Sequence, residues 1–395
     1  MTPTSAKIAE LVQASAHQVG ENIERHRPTP HVTFAEHIRC VRKERADLIR
    51  DKRLIYLDTN AWKCLADHQL NKPRLTSAMS EFASAIGRVR QSGQFLFPIG
   101  LATFFELDAL TNPETRDSIV ELVDGLSLGY CIAPFPERIG QELTHAGRGN
   151  FQDDDDPAEF LRSPIELLGI PEIMPTDTGF GIVDRNTFNK AFFDTLVQLP
   201  FSLQLEVART SPSSKWDNSR GTEELNQGKI THQAEIANLN TGIFVELKGI
   251  IESQKVGEGI ATSPPQVVQQ AAAIHYHWHQ NPTSRAMPTL RVLSALYGMM
   301  RFDVSRKYKD GDQADFLTAA SALPIAEAFF TDRRLAALLS EPTLSLNRFS
   351  RCVVVSGFEE MTKYLLTINI AQPRPWRRAV LIGESPATPR PSAPG

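Results

Sequence analysis

The chain predicts an α/β protein, a mostly parallel sheet flanked by helices and interrupted by a large helical insertion. Three observations carry that expectation. Residues 54–58, Leu-Ile-Tyr-Leu-Asp, form a short apolar β-run that stops on a carboxylate, Asp58. A second run near residue 330, Ala-Phe-Phe-Thr-Asp, repeats the design and ends on Asp332. Around these runs strand and helix patterns alternate, which implies parallel pairing with both sheet faces covered.

Residues 5–50 are polar and helical in character, with Leu11, Val12 and Leu48 as weak apolar markers. They read as an N-terminal extension packed against the domain that follows. Strands are expected at 54–58, 95–100, 129–134, 328–332 and 352–356. A helix follows Asp58 from Ala61 to His68. Another spans about 75–91, with Met79, Phe82, Ile86 and Val89 on one face. Asn112-Pro113 starts a third that runs through Leu126, with proline at the favoured first position.

The alternation stops at 137 and returns only at 312. Between them the chain shows helix patterns and loops but no strand. Ser163-Pro164 and Ser263-Pro264 are helix starts, and Thr222 to Lys255 reads as one or two helices. The expected organisation is a helical extension (1–52), a first α/β part (53–136), a helical insertion (137–303), a second α/β part (304–383) and a Pro/Ser/Ala-rich disordered tail (384–395).

Composition narrows the class. Apolar content of 41% and charged content of 22% suit a folded domain with a sizeable core. A formal net charge of −4 gives no global basic field, so any nucleic-acid contact must come from a local patch. The four cysteines are scattered and form no CxxC pair, which disfavours a disulfide framework or zinc ribbon. With no signal-peptide pattern and no run of about 18 apolar residues, the expected setting is cytoplasmic, without membrane contact.

Acids recur at element edges. Asp58 and Asp332 end strands, Glu106 lies in the first turns of the helix after the second strand, and Asp312 and Asp315 open the helix before the fourth. In a parallel sheet these positions share one side, where open α/β sheets bind ligands. Two carboxylates about 4 Å apart repel by roughly 4 kcal/mol at an effective dielectric of about 20. A divalent ion removes that cost. All-oxygen ligands favour Mg²⁺ or Mn²⁺ over zinc. Such sites activate water and stabilise charge in phosphodiester cleavage.

Asp58-Thr59-Asn60 ending a first strand, Thr103-x-x-Glu106, Asp315 followed by Ala319-Ala320, and Thr331-Asp332 together resemble the PIN (PilT N-terminus) nuclease domain over about 52–135 and 303–360. That resemblance implies a PIN-like parallel sheet and a nuclease that binds Mg²⁺ or Mn²⁺. Asp58, Glu106, Asp315 and Asp332 would be ligands, and Asp312 an extra acid. Thr59, Asn60 and Thr331 would orient the carboxylates. The implied partner is nucleic acid, single-stranded RNA first and flap DNA second, with an inhibitory protein partner left open. The long insertion departs from the small PIN toxins.

Each acid also has an ordinary structural reading. Asp58 suits a helix N-cap, Glu106 a first-turn acid, Asp312 a cap-like start and Asp332 a turn. Lys63 and Arg333 flank the acids and suit substrate phosphates. Arg306, Lys307 and Lys309 form a local basic run, equally explained by solubility. His275, His277 and His279 would share one side of a strand, but the preceding residues read as helix, leaving a polar helix end rather than a zinc site. Asp153–Asp156 reads as a solvated loop. Two rival functions remain, a non-catalytic PIN-like scaffold that binds RNA or protein and a haloacid-dehalogenase-like phosphatase. The latter needs an acid two residues after Asp58, where Asn60 stands.

Overall fold

A computed structural model of the chain describes residues 3–153, 160–170, 184–210, 217, 219, 221–231, 234, 236–261 and 263–368; of 3–14, 207 and 210 it describes the backbone alone. The protein is mixed α/β and mostly helical. At its centre lies a small parallel sheet of four strands, β1 (Arg53–Leu57), β2 (Phe95–Leu96), β5 (Ala328–Thr331) and β6 (Val353–Ser356), in the order β2-β1-β5-β6. β3 (Cys131–Ile132) and β4 (Leu161–Arg162) form a separate antiparallel pair.

The apolar runs are buried on both faces, with alternation of period two. Leu54, Tyr56, Leu96 and Phe329 enter one core. Ile55, Leu57, Phe95, Ala328 and Phe330 enter the other. The first core is continuous with insertion residues such as Leu247, Ile251, Leu290 and Leu293. The insertion also reaches the second core through Leu167, Phe201 and Leu205, so it packs on both sides of the sheet.

Several expected boundaries move. The run 95–100 carries ladder bonds only at Phe95–Leu96. Pro98 has no N–H to donate, and the Phe97 amide bonds to the Leu126 carbonyl instead. The run 129–134 shrinks to Cys131–Ile132 and lies outside the four-stranded sheet, touching it through one parallel bridge, Ile99 to Cys131. Its partner β4 falls inside the stretch read as strand-free, because a two-residue strand has no periodicity to detect. The helices Thr59–Gln69, Ser77–Gln91 and Pro113–Ser127 match expectation.

Ser163-Pro164 starts a short 3₁₀ helix and Ser263-Pro264 the helix Pro264–Gln280, each closed by a capping box. Thr222 to Lys255 resolves into two helices, Thr222–Thr231 and Leu239–Gly257. The N-terminal helices Pro3–His26 and Phe34–Leu48 pack chiefly on the insertion helix Arg185–Leu196 rather than on the sheet. Leu48 is 78% exposed, so it is not a core marker. Residues 384–395 lie outside the described residues. Among those described, no helix is long and apolar enough to cross a membrane.

The last insertion helix, Pro288–Phe302, supports the acid-bearing helix Asp312–Ala322, with Tyr297 edge-on to Phe316 at 5.2 Å. Buried Glu142 accepts from the Thr289 and Leu290 amides at 3.0 and 2.9 Å, placing a carboxylate on that helix's amino end. Leu239–Gly257 crosses the same helix where Gly242 meets Gly298. A Cβ added at Gly298 would lie 2.7 Å from the Ile243 backbone. Gly298→Ala should therefore lose about 1–3 kcal/mol in urea unfolding, whereas Gly249→Ala, with open space around it, should gain up to about 1 kcal/mol. Equal stability of the two variants would contradict this packing.

Candidate functional site: acids at the carboxyl edge of the sheet

β1 ends at Leu57, and the Asp58 amide continues the ladder by donating to the Phe330 carbonyl at 3.0 Å. Asp58 thus lies beside Thr331, whose buried hydroxyl donates to its carboxylate. One Asp58 oxygen also accepts from the Ala61 amide at 3.0 Å, capping the helix Thr59–Gln69. Asp332 repeats the arrangement one strand over. It caps Arg333–Leu339 by accepting from the Leu335 amide at 2.8 Å, and it is exposed at the rim. The N-cap reading and the site reading are compatible, since each carboxylate keeps further lone pairs.

Glu106 arrives from the helix Leu101–Ala109, half-buried, and accepts a hydrogen bond from the Thr59 hydroxyl. That helix is held to β1 by Tyr56, a residue the sequence reading passed over. Its fully buried hydroxyl accepts from the Gly100 amide at 2.9 Å and pairs with Thr103 at 3.0 Å. The available signal was a lone polar tip in an otherwise aliphatic strand. A side chain at Gly100 would press on the Tyr56 hydroxyl at 3.0 Å.

The acids lie within electrostatic range of one another. Burial raises the Asp58 carboxyl to about 6, helped by the charges of Asp332 and Glu106 and opposed by the bonds from Ala61 and Thr331. Asp315 is pushed further, to about 8, first by burial and then by Asp332, Glu106, Asp58 and Asp312. Glu106 also rises through burial, against the Thr59 bond and the Lys63 charge. The four acids from three regions of the chain therefore share one neighbourhood. They are not in mutual contact, however. Among the described residues the set of three His, Cys, Asp or Glu with ligand atoms within 4.8 Å of one another is His26, His37 and Asp194.

Asp312 is buried and has a structural task. Its Oδ2 accepts from the Lys309 amide at 2.9 Å and the Arg334 guanidinium at 2.8 Å. Asn60 sits exposed on the first turn after Asp58. Lys63 is half-buried near Glu106. Arg333 is exposed and reaches across the end of β6, its guanidinium 3.9 Å from where a Gly357 Cβ would stand. Beside Asp315 opens a cavity of about 240 Å³ lined by Arg306, Lys307, Lys309, Asp312 and Arg334. The basic run thus borders the acids, although Arg306 is also paired with Asp303 and Glu341. A larger cavity of about 500 Å³ lies elsewhere, among Leu101, Phe105, Pro136 and Leu167. Its mostly apolar lining brings none of the acids together.

The histidine run occupies the end of Pro264–Gln280. His277 pairs with Ser284 at 3.1 Å and stacks on Phe151, and His275 meets Phe244 edge-on. Asp153 does more than face solvent. It accepts from the Arg285 amide at 2.6 Å and the Ser284 hydroxyl at 3.1 Å. Asp154–Asp156 lie outside the described residues. The group His26, His37 and Asp194 was missed because Asp194 lies 168 and 157 positions from the two histidines. Compared with family models, curated proteins and solved structures, the chain gives no match.

The raised acids dictate a pH dependence. Asp315 moves from an ordinary 3.8 to about 8, so the folded protein holds a proton there that the unfolded chain has released. That contribution is full below about pH 4 and fades as pH climbs towards 8. In EDTA, Asp315→Asn should melt increasingly above wild type between pH 5 and 8.5. Parallel melting curves across that range would show that the acids do not interact.

Proposed function

We propose that this chain is a metal-dependent nuclease that hydrolyses phosphodiester bonds, with single-stranded RNA as its substrate class. One observation carries the proposal. Asp58 and Asp332 follow adjacent parallel strands and sit side by side at the carboxyl edge, with Glu106 and Asp315 coupled to them. The donor set is all carboxylate, which suits Mg²⁺ or Mn²⁺. Burial first and then repulsion from the other acids raise Asp315, and that repulsion is the kind a divalent ion relieves. Asp58, Glu106, Asp315 and Asp332 would hold the ion.

Bound there, such an ion supplies an activated water and Lewis-acid stabilisation of phosphoryl charge. The chain's own groups set the geometry. Thr331 orients Asp58, and Thr59 orients Glu106. Lys63, Arg333 and the cationic cavity wall offer contacts for backbone phosphates without reading bases. The pattern of Asp58-Thr59-Asn60, Glu106, Asp315 and Thr331-Asp332 supports a PIN-like assignment by resemblance. The wider spacing of the acids favours the alternative, a PIN-like scaffold that binds RNA or protein without cutting it.

The test incubates labelled single-stranded RNA and flap DNA with protein in Mn²⁺ or EDTA. Asp58→Asn and Asp332→Asn should each slow cleavage by roughly a hundredfold or more, about 2.7 kcal/mol of barrier, while the melting transition shifts little. Cleavage of RNA at the wild-type rate by both variants, or in EDTA, would sink the nuclease assignment. Binding without cleavage would favour the scaffold.

A further inference from the structure

We propose that His26, His37 and Asp194 form a binding site for a borderline divalent transition ion of the Zn²⁺ class, which clamps the N-terminal helix pair to the helix Arg185–Leu196. This does not rest on the nuclease proposal, because none of the three residues belongs to the acid cluster. The two imidazole Nε2 atoms converge on the two oxygens of one carboxylate, at 2.8 Å from His26 and 2.6 Å from His37. All three ligand atoms lie within 4.8 Å of one another. Their side chains are only 10%, 14% and 14% exposed.

Ligands about 2.1 Å from a tetrahedral ion lie roughly 3.4 Å apart, so each of the two N···O contacts needs to open by less than about 1 Å. Two imidazoles and a carboxylate select Zn²⁺-class ions over Mg²⁺, and leave a fourth position for water. The opposing charge is Lys190, which is buried nearby and donates to the Thr29 and Val32 carbonyls at 2.6 and 3.1 Å. Asp194 offsets it, so the incoming cation meets a nearly neutral surround.

The location gives such an ion a use. Among the described residues, the extension and Arg185–Leu196 share a core of Val19, Ile23, Phe188 and Ala191, with Phe192 packed against it. A metal adds a staple to such a core, as it does in small scaffolds. Asn22 and Asn186 already tie the same elements through hydrogen bonds to Ala191, Thr195, Pro30 and Val32. The ion would close a connection between segments more than 150 residues apart.

The test titrates EDTA-stripped, desalted full-length protein with ZnCl₂ by calorimetry and thermal melting, in excess MgCl₂ throughout so that the carboxyl-edge acids are already supplied with an ion. One equivalent of Zn²⁺ should bind and raise the wild-type midpoint by several degrees. Asp194→Asn and His37→Gln should weaken Zn²⁺ binding at least tenfold. The double variant His275→Gln/His279→Gln should bind as wild type does. Should the clamp variants fail to fold, Co²⁺ added to wild type decides the matter, since visible d–d absorption of a nitrogen-coordinated tetrahedral ion must appear. Zn²⁺ binding undiminished in both clamp variants, loss of binding in His275→Gln/His279→Gln, or no binding to wild type would each overturn the proposal. In the last case the trio is a hydrogen-bonded staple.

Discussion

Across the β1–β5 ladder Tyr56 faces Phe329 and Leu57 faces Phe330, and the next amide, that of Asp58, donates to the Phe330 carbonyl. That register places Asp58 against Thr331 and one residue from Asp332. Slipping it by one position would turn every buried side chain of the strand to the opposite face. The pairing is pinned at its other end as well. Buried Arg53 forms an ion pair with Glu327, and the Glu327 amide donates to the Leu54 carbonyl at 2.8 Å. A fixed ladder is thus the frame from which the acids project.

What the ladder brings together, the surrounding helices hold against repulsion. Burial and like charge both oppose ionised Asp58 and Asp315. Their separation is limited by packing rather than by attraction. Tyr56 fixes the helix of Glu106, and Pro288–Phe302 backs the helix of Asp315 through Tyr297 and Phe316. The close approach of Gly242 and Gly298 seats that backing helix on its neighbour. The insertion therefore contributes to acid placement while sharing the cores on both sheet faces.

Much of this was legible from the chain alone, and the reasons are local. Apolar runs that end in Asp gave β1 and β5, and the caps at Asn112 and Ser263 gave helix starts, because these signals lie within a few residues. Asp58, Glu106, Asp315 and Asp332 could be grouped because parallel topology puts strand ends and following helices on one side. The rest depends on pairs distant in sequence. Nothing near Leu161 announces its pairing with Ile132, and nothing near His26 announces Asp194. Asp312 looked like another site acid, yet its oxygen is taken by the nearby Lys309 amide and by Arg334, the latter contact set by how Arg333–Leu339 docks.

Anomalous scattering from crystals grown with Mn²⁺ tests the central claim most directly, because it locates the ion without relying on turnover. An ion peak bounded by carboxylate oxygens of Asp58, Asp315 and Asp332, with Glu106 alongside, is the predicted result. An empty carboxyl edge at saturating Mn²⁺, with the acids turned towards separate partners, would contradict the account.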